Sequence, residues 1–263
     1  MLHFLTCAVY RMGRLEQLDI KEGVYPHVWL KALGCRAEKL RDLRFEADPR
    51  RLVDPYPIVI GPAVLRNLER LDVSGYPLSL FRLFRDLWAP SLHSLAIRFL
   101  HGRDPDFWDN YLACHGALPA SFRSTLRTLE IHSRFPDETN TPESAPFVDV
   151  FAQLSVLENL SVNVCFLLML SDKDACAVVT AFLCLEVLAC ECPLPPDEDD
   201  EDALSVTFLV HFLSRCPPLR EFVIPRLAYR CSSPANGDAH APLRDVLARG
   251  FKRLTFQYDM PRV

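Results

Sequence analysis

The sequence has little glycine, with 9 glycines in 263 residues against 21 prolines. Phosphate-binding loops need glycines, and the sequence has neither a Walker loop nor a Gly-x-Gly-x-x-Gly motif. It also lacks the Gly-x-Ser-x-Gly of serine hydrolases and the His-Glu-x-x-His of zinc proteases. We therefore expect no enzyme activity and no cofactor.

Long apolar runs and secretory signals are missing as well. The longest uncharged stretch of the apolar middle lies between Glu158 and Asp172 and is interrupted by polar residues. A membrane-spanning helix needs about 20 apolar residues. No basic residue precedes the apolar start, and no small-x-small cleavage site occurs before Arg11. We expect no membrane partner and no secretion.

An excess of basic residues is also missing, because 29 Lys and Arg stand against 34 Asp and Glu. Nucleic acid is therefore not an expected partner, since phosphates require a basic face. The ten cysteines include no Cys-x-x-Cys pair, which favours free thiols in the cytoplasm or nucleus. Zinc at Cys184, Cys190, Cys192, His211 and Cys216 would need tighter ligand spacing, so we expect core cysteines and no metal.

Leucine is abundant, with 41 residues, and much of it falls in one recurring hexapeptide, Leu-x-x-Leu-x-Leu with apolar substitutions. Nine copies occur at intervals of 24 to 34 residues. Their apolar positions are Leu15-Leu18-Ile20, Leu40-Leu43-Phe45, Leu68-Leu71-Val73, Leu92-Leu95-Ile97, Leu126-Leu129-Ile131, Leu157-Leu160-Val162, Leu185-Leu188-Cys190, Leu219-Phe222-Ile224 and Phe251-Leu254-Phe256. A repeated unit of this length predicts a stacked architecture.

Each copy predicts a short strand, because its last two apolar residues alternate with polar ones. Between copies the apolar spacing becomes helical, as at Leu80, Leu83, Phe84 and Leu87. The unit is therefore helix, turn and strand, and stacked units place parallel strands on one side and helices on the other. We predict one α/β solenoid domain over residues 1–263.

Three segments of that domain depart from the repeated unit. Residues 1–14 are predicted to form a partial N-terminal helix. Residues 193–202, which contain the acidic run from Asp197 to Asp202, and residues 230–240 are predicted to be loop insertions.

The nine copies, from about Leu15 to Phe256, resemble a leucine-rich-repeat protein, and in particular the irregular repeats of fungal-type F-box proteins. The segment from Arg66 to Val73 illustrates the style of these repeats. The resemblance implies a horseshoe with strands on its concave face and helices on its convex face. It also implies the substrate-recognition part of an F-box-type ubiquitin-ligase subunit. No Leu-Pro-x-Glu opening precedes Leu15, so we expect contact with the ligase adaptor only if an F-box lies upstream.

The residues between the buried strand positions are predicted to face a protein partner. In the first half they carry charges of both signs, which favour orientation and partner choice, and later ones are neutral or apolar, which favours affinity. The predicted binding residues are Asp19, Arg44, Arg70, Asp72, Arg98, Glu130, His132, Asn159, Ser161, Val187, Ala189 and Val223. For any single residue the alternative is a solvated strand face, since few residues dominate an interface.

Two other functions stay open at this point. A small molecule could bind near Val187, Ala189 and Val223. The chain could also regulate another enzyme through Arg98. Glu130 and a histidine two residues later lie on one side of a strand, but without a nucleophile motif they favour a charged binding face over an acid/base pair.

Overall fold

The computed structural model describes residues 13–24, 26–47, 63–100, 106–133, 153–163, 183–190, 212–224 and 251–256. The chain divides into two compact units, Met1–Ser133 and Arg134–Val263. That residues 1–263 form one continuous domain stays a prediction. The predicted insertions at 193–202 and 230–240, and almost all of the N-terminal segment 1–14, lie outside the described residues.

The first unit combines a parallel sheet with helices. Its elements are β1 (Gln17–Val24), α1 (Pro26–Arg36), β2 (Asp42–Ala47), β3 (Ala63–Val64), β4 (Arg70–Gly75), α2 (Pro77–Asp86), β5 (Leu87–Trp88), β6 (Ser94–Phe99), α3 (Phe107–Phe122) and β7 (Thr128–Ser133). Strands β1, β2, β4, β6 and β7 are neighbours in that order, and every pair is parallel. Strands β3 and β5 form a separate two-stranded parallel sheet.

The second unit shows the same strand arrangement. Its strands are β8 (Asn159–Asn163), β9 (Val187–Cys190), β10 (Glu221–Ile224) and β11 (Arg253–Phe256). They pair in chain order, and all pairs are parallel. The predicted α/β class with parallel strands is therefore confirmed.

Each of the nine hexapeptides carries one strand. The predicted alternation is seen in the burial of β2, β4, β6, β7 and β8. In β4, Leu71 and Val73 are buried, whereas Asp72 between them is only partly covered. The register aligns the same position from strand to strand, so that Leu43, Leu71 and Leu95 form part of one buried column. Burying each such side chain contributes about 1.5–3 kcal/mol, which makes this column the core of the sheet.

The first leucine of the hexapeptide closes a tight turn ahead of the strand. The backbone N–H groups of Leu40, Leu68 and Leu92 each donate to the carbonyl three residues earlier, at 3.0, 3.2 and 3.1 Å. Leu157 and Leu219 in the second unit make the same bond, both at 3.1 Å. All five side chains are buried, so the turn anchors the chain as it enters each strand.

Helix α2 follows the predicted apolar spacing. Leu80, Leu83 and Phe84 are buried, and Pro77 stands at the first turn, where its missing N–H costs nothing. The ring of Phe84 meets that of Phe122 edge to face at 6.3 Å, which packs α2 against α3. Leu87, predicted as the next position of the helical stripe, instead lies in β5, because the helix ends at Asp86.

Gly34 in α1 gives a test of helix packing. Alanine favours a helix over glycine by about 1 kcal/mol, but a Cβ at Gly34 would overlap the carbonyl oxygen of Val64 in β3 and lie 3.2 Å from its carbon. Backbone cannot move aside as a side chain can, so Gly34→Ala should lower the free energy of unfolding by about 1–3 kcal/mol. Urea denaturation measures this change.

Gly116 provides the matched control for that substitution. It also lies in a helix, α3, but a Cβ there meets nothing within 4 Å. Gly116→Ala should therefore be neutral or stabilising by up to about 1 kcal/mol. Stabilisation by both substitutions would contradict the close approach of α1 to β3.

Candidate protein-binding face

The side of the first unit's sheet opposite the buried leucines carries most of the predicted binding residues; we call it the exposed face. The strand register arranges it in three rows. The central row is Asp19, Arg44, Asp72, Ala96 and Glu130; the row before it is Gln17, Asp42, Arg70, Ser94 and Thr128; the row after it is Glu46, Ser74, Arg98 and His132. Charges of opposite sign thus stand beside each other on neighbouring strands.

Arg70 and Asp42 form a two-point ion pair on this face. The Nε and Nη2 atoms of Arg70 donate to the two carboxylate oxygens of Asp42, with Nη2 to Oδ2 at 2.8 Å. Gln17 Nε2 adds a further hydrogen bond to Oδ2 at 2.9 Å. The bond from Arg70 holds the pKa of Asp42 below its usual 3.8. This geometry fixes the plane of the Arg70 guanidinium.

Asp72 bridges the other two arginines of the face. Its Oδ2 lies 2.7 Å from Arg44 Nε and 3.2 Å from Arg98 Nη2. Its Oδ1 is buried and accepts no hydrogen bond within the described part of the chain. Asp72 therefore ties together three neighbouring strands, β2, β4 and β6.

The two carboxylates lie deeper than the three guanidinium groups. The side chains of Asp72 and Asp42 are 16% and 23% exposed. Those of Arg44, Arg70 and Arg98 are 58%, 63% and 50% exposed. We call these five residues the arginine cluster. Within the cluster the guanidinium groups are therefore the more exposed charges.

A groove of about 550 Å³ runs over the same residues. It is lined by side chains from β1, β2, β4, β6 and β7. The short side chains of Ser94 and Ala96 on β6 lie at its floor, while Asp19 and Glu130 lie towards its two ends. The groove therefore offers space beside the arginine cluster, between two acidic residues.

Glu130 and His132 lie close together but are not hydrogen-bonded to each other. Their nearest atoms, Oε2 and Nε2, are 3.8 Å apart, and both side chains are substantially exposed. That separation is longer than a hydrogen bond. Both residues stay candidates for contact with a partner.

The second unit carries the remaining predicted residues. Asn159 and Val187 share one row, and Ser161 and Ala189 share the next, all partly covered. Val223 continues the second row but is only 9% exposed, so the prediction that its side chain is open was wrong. Strands β9 and β11 pair with the two edges of β10.

Asp42 was not among the predicted binding residues, although its position in the hexapeptide placed it on a partner-facing row. The available signal was its register position, since Asp42 and Arg70 occupy the same place in successive hexapeptides and carry opposite charges. Ser94 and Ala96 were likewise left out of the predicted binding residues, because small side chains carry no chemistry of their own. They matter through the space they leave between charged neighbours.

The described cysteines give a mixed result. Cys114 and Cys216 are buried, and burial raises the pKa of Cys216 to about 11. Cys184 is exposed in the turn ahead of β9, so the prediction of a core position was wrong for this residue. Among the described residues no group of His, Cys, Asp and Glu is placed to hold a metal ion. Cys192 and His211 lie outside them.

No protein-family model matches the sequence, and no curated protein matches it. None of the helices in the described ranges is long and apolar enough to cross a membrane.

Proposed function

We propose that the chain is a leucine-rich-repeat solenoid that recognises a protein partner through the exposed face. The observation that carries this proposal is the groove beside the arginine cluster, on the side of the sheet opposite the buried leucine column. Solenoids of stacked units characteristically bind partners through such a strand surface.

The ion pairs of the face support recognition better than they support stability. Exposed ion pairs typically contribute about 0–1 kcal/mol each, so the fold does not depend on them. They do hold Arg44, Arg70 and Arg98 in defined positions. Fixed polar groups lower the entropy lost on binding and select the orientation of a partner.

The resemblance to fungal-type F-box repeats extends the proposal. By that resemblance the partner is a protein selected for ubiquitylation, and this chain supplies the recognition surface. Contact with the ligase adaptor would require an F-box upstream of the repeats.

The two other functions receive less support. The groove is lined largely by charged side chains rather than by the mainly apolar surface of small-molecule sites, and Val187 and Ala189 are not among its lining residues. Arg98 lies on the face of the sheet itself, in β6, rather than on a projecting loop, which opposes its use as a group inserted into another enzyme. Arg98→Ala should therefore leave the turnover of a candidate enzyme unchanged.

Site-specific photo-crosslinking tests the proposed function. A photoreactive amino acid replaces Ala96 at the groove floor, and the control replaces Asp109, an exposed residue of α3. In cells that express the chain, the photoreactive residue at position 96 should give discrete protein adducts. An excess of the chain without the photoreactive residue should abolish these adducts by competing for the partner. Adducts of the same proteins from both positions, or from position 109 alone, would contradict recognition by the exposed face.

A further inference from the structure

The arginine cluster has an unequal charge balance on a chain that is acidic as a whole. It contains three arginines and two aspartates, so its local charge is 3 − 2 = +1, against −5 for the sequence. Its carboxylates are covered and its guanidiniums are open. The exposed part of the cluster is therefore cationic.

The guanidiniums keep most of their hydrogen-bond donors for a partner. Each guanidinium has five N–H donors. Arg70 directs two of its nitrogens at Asp42, and Arg44 and Arg98 each direct one at Asp72. The remaining donors form planar forks that match a carboxylate in two-point geometry.

The three arginines offer separate places for acidic groups. Arg44 and Arg98 lie on β2 and β6, two strand positions apart, so their Cα atoms are at least about 10 Å from each other. Asp72 lies on the strand between them and already joins them through one carboxylate oxygen. A partner carboxylate that forms a two-point pair with one of these guanidiniums therefore leaves the other for a second carboxylate.

We infer that the partner presents an acidic segment, carrying two or more Asp or Glu side chains, to the arginine cluster; this inference rests on the proposed function. Asp19 and Glu130 towards the ends of the groove repel acidic groups there and so confine them to the cluster. The short side chains of Ser94 and Ala96 leave room for the segment beside Arg70 and Arg98.

Fluorescence anisotropy with the full chain tests the inference at low and moderate salt. The probes are a labelled peptide of alternating Glu and Gly, a Lys and Gly peptide of equal length, and a single-stranded DNA oligonucleotide. The Glu peptide should bind about tenfold more tightly than the Lys peptide, with an affinity that falls as salt rises. Arg44→Ala with Arg98→Ala should weaken that binding about tenfold, because two charge-assisted contacts are lost.

Arg85→Ala is the matched control. Arg85 is 59% exposed and paired with Asp86 at 2.9 Å, but it lies on α2. Arg85→Ala should leave the affinity for the Glu peptide unchanged. The inference is overturned if the Glu peptide does not bind, if the Lys peptide binds equally well, if Arg85→Ala weakens binding as much as the double variant, or if the oligonucleotide binds more tightly than the Glu peptide.

The crosslinking experiment separates this inference from the proposed function. Face-specific adducts at position 96 together with failure of the Glu peptide would retain protein recognition and remove the acidic partner. Loss of face-specific adducts would remove the proposed function itself, whatever the peptides do.

Discussion

Leu160→Asp is expected to unfold the second unit, with a loss of at least about 4 kcal/mol in the free energy of unfolding. Leu160 lies in β8, is 3% exposed, and pairs in register with Leu188, which is followed by the fully buried Phe222. A carboxylate in this column would be charged and without a hydrogen-bonding partner, or would have to bind a proton at a further cost. Urea denaturation followed by circular dichroism measures the loss.

Ser161→Asp is the matched control, one residue along the same strand. Ser161 is partly covered, belongs to the opposite side of the sheet, and pairs with the small Ala189. An aspartate there stays in contact with solvent, so the cost should be within about 0.5 kcal/mol. Equal damage from the two substitutions would mean that the alternation of buried and open positions is wrong in this unit.

The strands were predictable because their signal is local. Two apolar residues separated by one polar residue determine which side of a strand is buried, as at Leu71 and Val73. The turn leucine adds a fixed entry point, so each hexapeptide specifies both a strand and its start. The two-residue strands β3 and β5 are too short to show such an alternation. They form only because distant segments pair, with Ala63 beside Leu87 and Val64 beside Trp88.

The exposed face was predictable in its rows but not in its contacts. The register followed from the hexapeptide, and it placed Arg44 beside Asp72. Asp72 also forms an ion pair with Arg98, which lies two residues away from the row of Asp72. This contact depends on side-chain conformations that no sequence pattern encodes. The depth of the two carboxylates, which makes the cluster cationic at its surface, likewise arises only when side chains of different length are packed together.

Buried His115 went unrecognised for a related reason. It lies in α3 among aromatic rings, with its centroid 5.4 Å from that of Phe99 and 4.4 Å from that of Tyr111. Phe99 belongs to β6, so the cluster forms only when helix and strand come together. A lone histidine in an apolar helix gives no signal of this burial.

Acid should destabilise the protein through His115 well before most carboxylates titrate. Burial lowers the pKa of His115 from 6.5 to about 3. Between these values the unfolded chain binds a proton that the folded chain does not, so stability is intact above pH 6.5 and is lost as the pH falls towards 3. The loss is about 1.4 kcal/mol for each pH unit, or roughly 3 kcal/mol between pH 6.5 and 4.5. Asp42 contributes only below its ordinary value of 3.8, because its pKa is lowered.

His115→Phe isolates this contribution, because phenylalanine keeps an aromatic ring beside Phe99 and Tyr111 and cannot bind a proton. The larger apolar ring shifts the absolute stability at every pH by a similar amount, so the change with pH is the quantity to compare. Urea denaturation from pH 7 to 4.5 should give a falling free energy of unfolding for the wild-type chain and a nearly level one for the variant. Tyr111 and Cys114, whose pKa values burial raises, stay neutral over this range and add no slope. Parallel curves for the two proteins would place the acid sensitivity elsewhere and would contradict a neutral His115 held in the core.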